Sequence, residues 1–476
     1  MPSRQARTHD QTPLVLDIDG TLLRTDMLYE SLWTALGHAF FRAVLVVLQC
    51  FTSPARLKRQ LLSIARPEVE LFPIREQVLD LALEAMREGR PVHLVSGSDQ
   101  SLVDALGESL GLEGPHYGSD GSKNLTRRNK AAFLVKAFGK GGYDYAGDSH
   151  ADLPSWRNAR KIIAVDPGGN LGRRIKRMGK PTEIISDSWG MKDIIKELRP
   201  HQWVKNTLLF LPLLAAHDIT LANVGTALVA ALAFSFGASS IYILNDLLDL
   251  SLDRQHPSKR HRPIAAGRLP IRAAMAICIG LVVLSMTLAA SISLAVAAMT
   301  LAYMASSLVY SLWLKRLKWV DVLTLASLFL MRVLTGAVAT QIDPPGWLLA
   351  FVFAAFFALA CVKRMTALAR AFRGTGLPGR GYAHEDIHQV KRAALTGVAF
   401  TGVFFTAYAF SDDAARLYSA PFVLFAALAA MLAWLLRVIR LAENGQEDYD
   451  PVVFVTSDRV GLAIAALSIG LVFLAV

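Results

Sequence analysis

From residue 207 to residue 476 the chain is a succession of apolar runs parted by brief polar loops. Residues 1 to 200 instead mix charged and apolar positions at short intervals. The change predicts a soluble domain over 1–195 and a polytopic, all-helical membrane domain over 196–476. The apolar runs near 206–217, 221–244, 273–292, 294–314, 320–340, 346–362, 393–410, 419–436 and 459–476 predict nine spans. In the first part, Pro13 to Ile18 and Pro91 to Val95 read as short buried strands and Lys130 to Phe138 as a helix. This is an α/β, Rossmann-like pattern. Between the strands, about 30–64 reads as a helical cap whose segment Ala35 to Phe51 is unusually apolar. His38 and Arg42 interrupt that segment, and about 17 residues is marginal for crossing a bilayer, so an interfacial or cap-buried helix is expected.

The chain is 53% hydrophobic and carries a formal net charge of +11. A basic balance suits nucleic acid, anionic lipid headgroups or phosphorylated substrates, and in a membrane protein positive-inside loops account for it equally well; no nucleic-acid partner is expected. Arg254, Lys259, Arg260, Arg262, Arg268 and Arg272 follow the second run, Lys315, Arg316 and Lys318 the fourth, and seven basic residues lie between Lys363 and Arg392 after the sixth. The alternate loops hold one basic residue, Arg416. The soluble domain is therefore expected in the cytoplasm and the C-terminus across the inner membrane. The first fifteen residues lack the apolar core of a secretory signal. Cys50, Cys278 and Cys361 are far apart in apolar surroundings, which predicts packing residues, not a disulfide or thiolate site.

The first strand delivers Asp17-Ile18-Asp19-Gly20-Thr21 to its C-terminal end, where ligands of open α/β sheets bind. A carboxylate pair at i and i+2 suits phosphoryl chemistry: the first attacks phosphorus and the second protonates the leaving oxygen. Ser96-Gly97-Ser98 ends the second strand with a hydroxyl and backbone amides fit for phosphate. Asp148 and Asp152, in Gly147-Asp148-Ser149-His150-Ala151-Asp152, can share a magnesium ion. In order and spacing, these motifs and Lys130 resemble those of the haloacid-dehalogenase superfamily over about 13–190. The resemblance implies Asp17 as nucleophile, Asp19 as general acid/base, Ser96 and Lys130 as phosphate holders, and Asp17, Asp148 and Asp152 around Mg2+. A domain kept only as a scaffold is the alternative.

In the second part, Asn245-Asp246-Leu247-Leu248-Asp249-Leu250-Ser251-Leu252-Asp253 closes the second run. On one continuous helix the three aspartates fall within an arc of about 60°. Carboxylates so close beside a bilayer call for a cation. Lys259, Arg260 and Arg262 follow directly and suit a phosphate; Lys205 and Asn206 at the mouth of the first run, and Tyr310 with Lys315 at the end of the fourth, are expected to converge on the same side, with interfacial anchoring as the alternative. Arg332 is a mid-span charge, and Asp321 opens its span.

N-D-x-x-D-x-x-x-D resembles the first aspartate-rich motif of the UbiA prenyltransferase family. RPHQWVKN at 199–206, the segment 245–270 and DPVVFVTSDR at 450–459 are similar to its decaprenyl-phosphate 5-phosphoribosyltransferase branch. The resemblance implies Mg2+ held by Asn245, Asp246, Asp249 and Asp253, and phosphoribosyl diphosphate and polyprenyl phosphate as partners in the membrane lipid. Transfer of an isoprenyl group from a prenyl diphosphate to an aromatic or other acceptor is the family's other reaction. The family's second carboxylate motif is missing, since Lys363-Arg364-Met365-Thr366-Ala367 holds no acid and the nearest are Glu385 and Asp386. A transporter and a phosphatase merely anchored by its spans are the rival classes; the first would place charges at mid-membrane with repeat symmetry, and the second has no need of an aspartate triad.

Overall fold

The computed structural model describes residues 11–50, 53–119, 124–370, 377, 379–445, 454 and 458–475. The first ten residues and most of the segment 450–459 lie outside them. The chain forms two compact units, one made of Met1–Glu197 with Ile243–Ala276 and the other of Leu198–Tyr242 with Ile277–Val476. The loop that carries the aspartate-rich motif, expected with the membrane domain, is grouped with the first unit.

The first unit is built on a six-stranded parallel sheet: β1 (Leu14–Leu16), β2 (Val92–Asp99), β3 (Tyr117–Ser119), β4 (Asp144–Gly147), β5 (Ile162–Val165) and β6 (Thr182–Ile185). Their order is β3-β2-β1-β4-β5-β6. Leu14 pairs with Val92 on one side and with Asp144 on the other. Parallel strands are covered on both faces, and the period of two divides β1 between two cores. Leu14 and Leu16 pack with Leu94, Val103 and Leu106, while Val15 packs with Val95, Tyr145, Trp156 and Ile162. The strand order reverses between β1 and β4, so a crevice opens at their C-terminal ends.

Three helices form the cap after β1: α1 (Met27–His38), α2 (Phe40–Cys50) and α3 (Pro54–Ile64). Ala39, at φ −144°, ends α1 and separates it from α2. The apolar segment from Ala35 is therefore not one helix, and the 11 residues of α2 reach about 16 Å, half of a bilayer core. Ala43 faces the cap interior, while Phe41, Leu45 and Leu48 form an exposed apolar stripe. The sheet is flanked by α4 (Glu76–Arg87), α5 (Gln100–Ser109), α6 (Arg127–Phe138), α7 (Leu153–Asn158) and α8 (Gly169–Lys176), and α9 (Met191–Leu198) ends the segment.

Beyond it run α10 (Leu211–Ala216), α11 (Leu221–Leu248), α12 (Leu250–Gln255), α13 (Ile271–Ile292), α14 (Leu294–Leu312), α15 (Val320–Thr340), α16 (Gly346–Arg370), α17 (Ile387–Ala409), α18 (Asp412–Leu417), α19 (Pro421–Glu443) and α20 (Arg459–Ala475). Among the described residues six helices are long and apolar enough to cross a membrane: α11, α13, α14, α15, α16 and α19. Six of the nine expected spans are thus helices of that kind. The run 206–217 is instead a 3-10 turn, Pro200–Phe210, followed by the six residues of α10. The run 393–410 lies in α17, where Thr, Gly and Tyr dilute the apolar residues. The last run is the 17-residue α20.

Candidate functional site

At the sheet crevice, Asp17 leaves β1, Ser96 and Ser98 end β2, and Asp148 with Asp152 follow β4. Among the described residues this is the one place where three metal-ligating side chains come together, the oxygens of Asp17, Asp148 and Asp152 lying within 4.8 Å of one another. Gly20, at φ +77°, makes the turn; a Cβ there would stand 2.4 Å from an Asp148 carboxylate oxygen, so only glycine admits the carboxylate. The Lys130 ammonium, on α6, lies 2.7 Å from Asp17 Oδ1 and 3.9 Å from Asp152 Oδ1. Tyr145 donates to Asp152 Oδ1 at 2.7 Å and Ser149 Oγ to its Oδ2 at 2.9 Å.

Burial, with Asp152 and Asp148 beside it, pushes the Asp17 carboxyl well above its usual range against the pull of Lys130. Burial and Asp152 push Asp148 up to about 7. Burial alone would lower Lys130, but Asp17 and Asp152 outweigh it and hold the ammonium's pKa raised. Three hard oxygen donors crowded against their own repulsion fit a divalent cation. Asp19 stands apart: its Oδ2 accepts from both Ser96 Oγ and Ser98 Oγ at 2.9 Å, and its Oδ1 from the Met27 amide at 2.8 Å. Ser96 thus holds Asp19 in this structure.

The aspartate-rich loop is organised differently. The expected continuous helix stops at Leu248, and Asp249 (φ −103°, ψ 20°) starts the new helix α12. The three aspartates therefore do not share one helix face. Asp246 and Asp253 are buried and Asp249 is half-buried. Arg262 stands between two of them, its Nη1 2.9 Å from Asp246 Oδ1 and 2.5 Å from Asp253 Oδ2. Lys259 lies 3.4 Å from Asp253 Oδ1, and Arg260 is exposed. Burial raises the pKa of Asp253 against Arg262. The Asn245 Oδ1 atom is buried with no hydrogen-bond partner among the described residues. An unpartnered amide oxygen one residue before Asp246, and two carboxylates already sharing a cationic group, are oxygen donors of the kind a hard metal ion takes.

In the second unit, Asn206 and Lys205 are buried. Asn206 Nδ2 donates to Ser235 Oγ at 2.8 Å, and its Oδ1 accepts from Arg332 Nε at 3.0 Å. Arg332 also donates to Tyr303 Oη at 2.8 Å and lies over the rings of Phe234, Tyr303 and Phe329. Among the described residues its charge is met by an amide and an aromatic box and not by an acid. The Lys205 ammonium lies 6.0 Å from the centre of the Phe329 ring, and Lys315 is half-buried at the end of α14. Tyr310 donates to Asp321 Oδ1 at 2.8 Å.

A scan against family models matches the UbiA prenyltransferase family over residues 207–456, more than half of the chain. The chain belongs to the UbiA prenyltransferase family. It is a multi-pass integral membrane protein, as that family and its apolar helices require. The uncharacterized protein y4nM of Sinorhizobium fredii is 33% identical over 466 residues, covering 96% of this chain and 89% of that protein. A decaprenyl-phosphate phosphoribosyltransferase of Corynebacterium glutamicum is 40% identical over 214 residues, covering 44% of this chain and 62% of its own. A UbiA homolog from Archaeoglobus fulgidus, solved with GPP and Mg2+, is 18% identical with a TM-score of 0.46, covering 60% of this chain and 99% of that one.

In this UbiA chain the place of the missing second acidic motif is taken by basic residues with work of their own. Arg364 binds the fully buried Asp321 through Nε and, at 2.9 Å, through Nη2, and Arg380 Nη1 reaches the same carboxylate at 3.1 Å. Of the two acids further on, Asp386 pairs with Lys318 at 2.7 Å and Glu385 is exposed. Sequence reading missed the Asp321 cluster because its members lie 43 and 59 positions apart. The one clue was an acid opening an apolar span.

Proposed function

We propose that the chain performs two consecutive steps on one lipid. In the first, a polyprenyl phosphate oxygen attacks the anomeric carbon of phosphoribosyl diphosphate. The bond from that carbon to the diphosphate oxygen breaks, and diphosphate leaves with the electron pair. Asn245, Asp246, Asp249 and Asp253 would hold Mg2+, which supplies charge neutralisation for a departing diphosphate. Lys259, Arg260 and Arg262 bind phosphate oxygens from the same loop. Lys205, Asn206 and Lys315 are assigned to phosphate binding as well, Asn206 through the side chain that also anchors Arg332. The observation that carries this step is the N-D-x-x-D-x-x-x-D loop with its bridging Arg262, and the Corynebacterium relative's name supports the choice of donor.

In the second step the first unit removes the 5-phosphate of the lipid product. Asp17 attacks phosphorus and forms an aspartyl-phosphate, Asp19 protonates the departing ribose oxygen, and water then releases phosphate with Asp19 as base. Lys130 and Ser96 steady the phosphoryl oxygens, and Asp148 with Asp152 hold the cation. The convergence of Asp17, Lys130, Asp148 and Asp152 supports this step. The exposed stripe Phe41, Leu45 and Leu48 on α2 suits the surface of a membrane, where the lipid substrate resides.

Labelled phosphoribosyl diphosphate and polyprenyl phosphate supplied to membranes test both steps. Wild type should give a labelled, dephosphorylated lipid, and Asp17→Asn should accumulate the 5-phosphorylated one. A label that stays in the aqueous phase, with geranyl diphosphate consumed when it and an aromatic acceptor are supplied to the same membranes, would establish the isoprenyl reaction. Identical lipid products from the two proteins would refute the second step.

A further inference from the structure

The aspartate-rich loop meets the cap and the segment after it inside the first unit, through contacts between residues 187 to 246 positions apart. Arg254, the chain neighbour of Asp253, makes a two-pronged ion pair with Glu30 of α1, at 3.0 Å from Nη1 to Oε2 and 2.6 Å from Nη2 to Oε1. Both side chains are buried, at 7% and 2% exposure. Thr25 Oγ1 donates to the same Glu30 oxygen at 2.6 Å. Arg254 Nε donates to the Ala265 carbonyl at 3.0 Å, and the guanidinium lies over the Phe72 ring. Further contacts seat the loop: Arg272 to Asp26 at 2.5 Å, and Gln255 to Glu68 at 3.2 Å. Gly37 of α1 passes so close that a Cβ there would stand 2.9 Å from the Leu248 carbonyl oxygen, between Asp246 and Asp249 in the chain.

We infer that Glu30 is a positioning residue of the aspartate-rich site, holding Arg254 away from Asp253 and keeping that carboxylate available to a divalent cation. Asp253 already meets Lys259 and Arg262. A third cationic side chain from the adjacent position would saturate it and compete with metal. A fork-shaped guanidinium is matched by a carboxylate of fixed orientation, and Glu30 supplies one from the cap. The cap thereby withdraws a competing cation from the aspartate-rich site. This inference rests on the reading of Asp246 and Asp253 as cation ligands.

The test is Mn2+ affinity, measured by electron paramagnetic resonance on the detergent-solubilised full chain carrying Asp148→Asn, which disables the sheet trio. Adding Glu30→Gln should weaken Mn2+ binding about ten-fold, the scale of a lost supporting contact around a metal site. Adding Arg254→Gln to Glu30→Gln should bring the affinity back toward that of the parent, because the freed competitor is gone. A merely structural ion pair predicts the opposite, a double variant no better than the single one, and that result would overturn the inference. So would a Glu30→Gln affinity equal to that of the parent. Thermal unfolding of each variant separates misfolding from a local effect, and Glu30→Asp, which keeps the charge, should retain most of the affinity. Mn2+ binding that Asp246→Asn leaves untouched would instead sink the underlying assignment of the loop as a metal site, and this inference with it.

Discussion

The two carboxylate clusters of this chain solve the same electrostatic problem in opposite ways. At the sheet crevice three aspartates from two strand ends are held within 4.8 Å of one another, with Lys130 on one side. In the aspartate-rich loop the cation is inserted between the acids, as Arg262 bridges Asp246 and Asp253. The difference follows from the backbone. Neighbouring strands of a parallel sheet are fixed by their ladder, so Asp17 and Asp148 have no freedom to retreat from one another. A loop broken at Asp249 has that freedom, and a guanidinium takes up the room. The sheet cluster keeps its three carboxylates together with Lys130 at one edge, whereas the loop cluster is neutralised from within by Arg262.

The largest effect expected from breaking this comparison is at the sheet site. Asp17→Asn should lower monoester hydrolysis by at least about 1,000-fold, measured on a panel of phosphate monoesters with magnesium present. Transfer to the lipid should persist in that variant. Asp246→Asn should reverse the pattern, with transfer falling by at least about 100-fold while monoester hydrolysis continues. Equal loss of both activities in either variant would show one site where we describe two. Arg262→Gln sharpens the contrast further, since it removes the bridging cation. The Mg2+ concentration for half-maximal transfer should fall, and KM for phosphoribosyl diphosphate should rise about ten-fold, the worth of one charge-assisted hydrogen bond. An unchanged KM would deny Arg262 its phosphate role. The smallest effect belongs to the α2 stripe: Phe41→Ser, Leu45→Ser and Leu48→Ser together should reduce dephosphorylation of the lipid about three-fold. Hydrolysis of a soluble monoester should stay constant in the same preparation.

The two clusters were also unequally legible in the amino-acid sequence. Motifs that end a buried strand or turn within a few residues could be read directly, since their geometry is set by adjacent backbone; Asp17, Asp19, Ser96 and Asp148 all lie at the crevice expected of them. The spacing of Asp246, Asp249 and Asp253 was plain too, yet periodicity alone extended a helix through Asp249, where the structure ends one. Apolar runs predicted helices well, and six of the nine are long and apolar enough to cross a membrane among the described residues, while the run 206–217 spends its first part in a 3-10 turn. Contacts made by residues distant in the chain left at most a lone charge in an apolar run as their local trace, and never the partner. An aromatic box around Arg332, two arginines on Asp321 and the Glu30–Arg254 pair emerge only when helices are packed.

The close seating of the aspartate-rich loop against α1 also has a bearing on the order in which the molecule is made. Synthesis proceeds at about 5–20 residues per second and domains fold as they emerge. Glu30 and Arg254 are 224 positions apart, so Arg254 leaves the ribosome about 10 to 45 s after its partner. The sheet and its cap have that interval to fold, and the loop that follows the first long apolar helix then closes onto a surface already formed. The cap is in this sense a template for the loop. A lesion in α1 that slows its folding is expected to leave the newly made loop without its mould, with the defect appearing as misassembled membrane protein during growth and not as a loss in chains that have already matured.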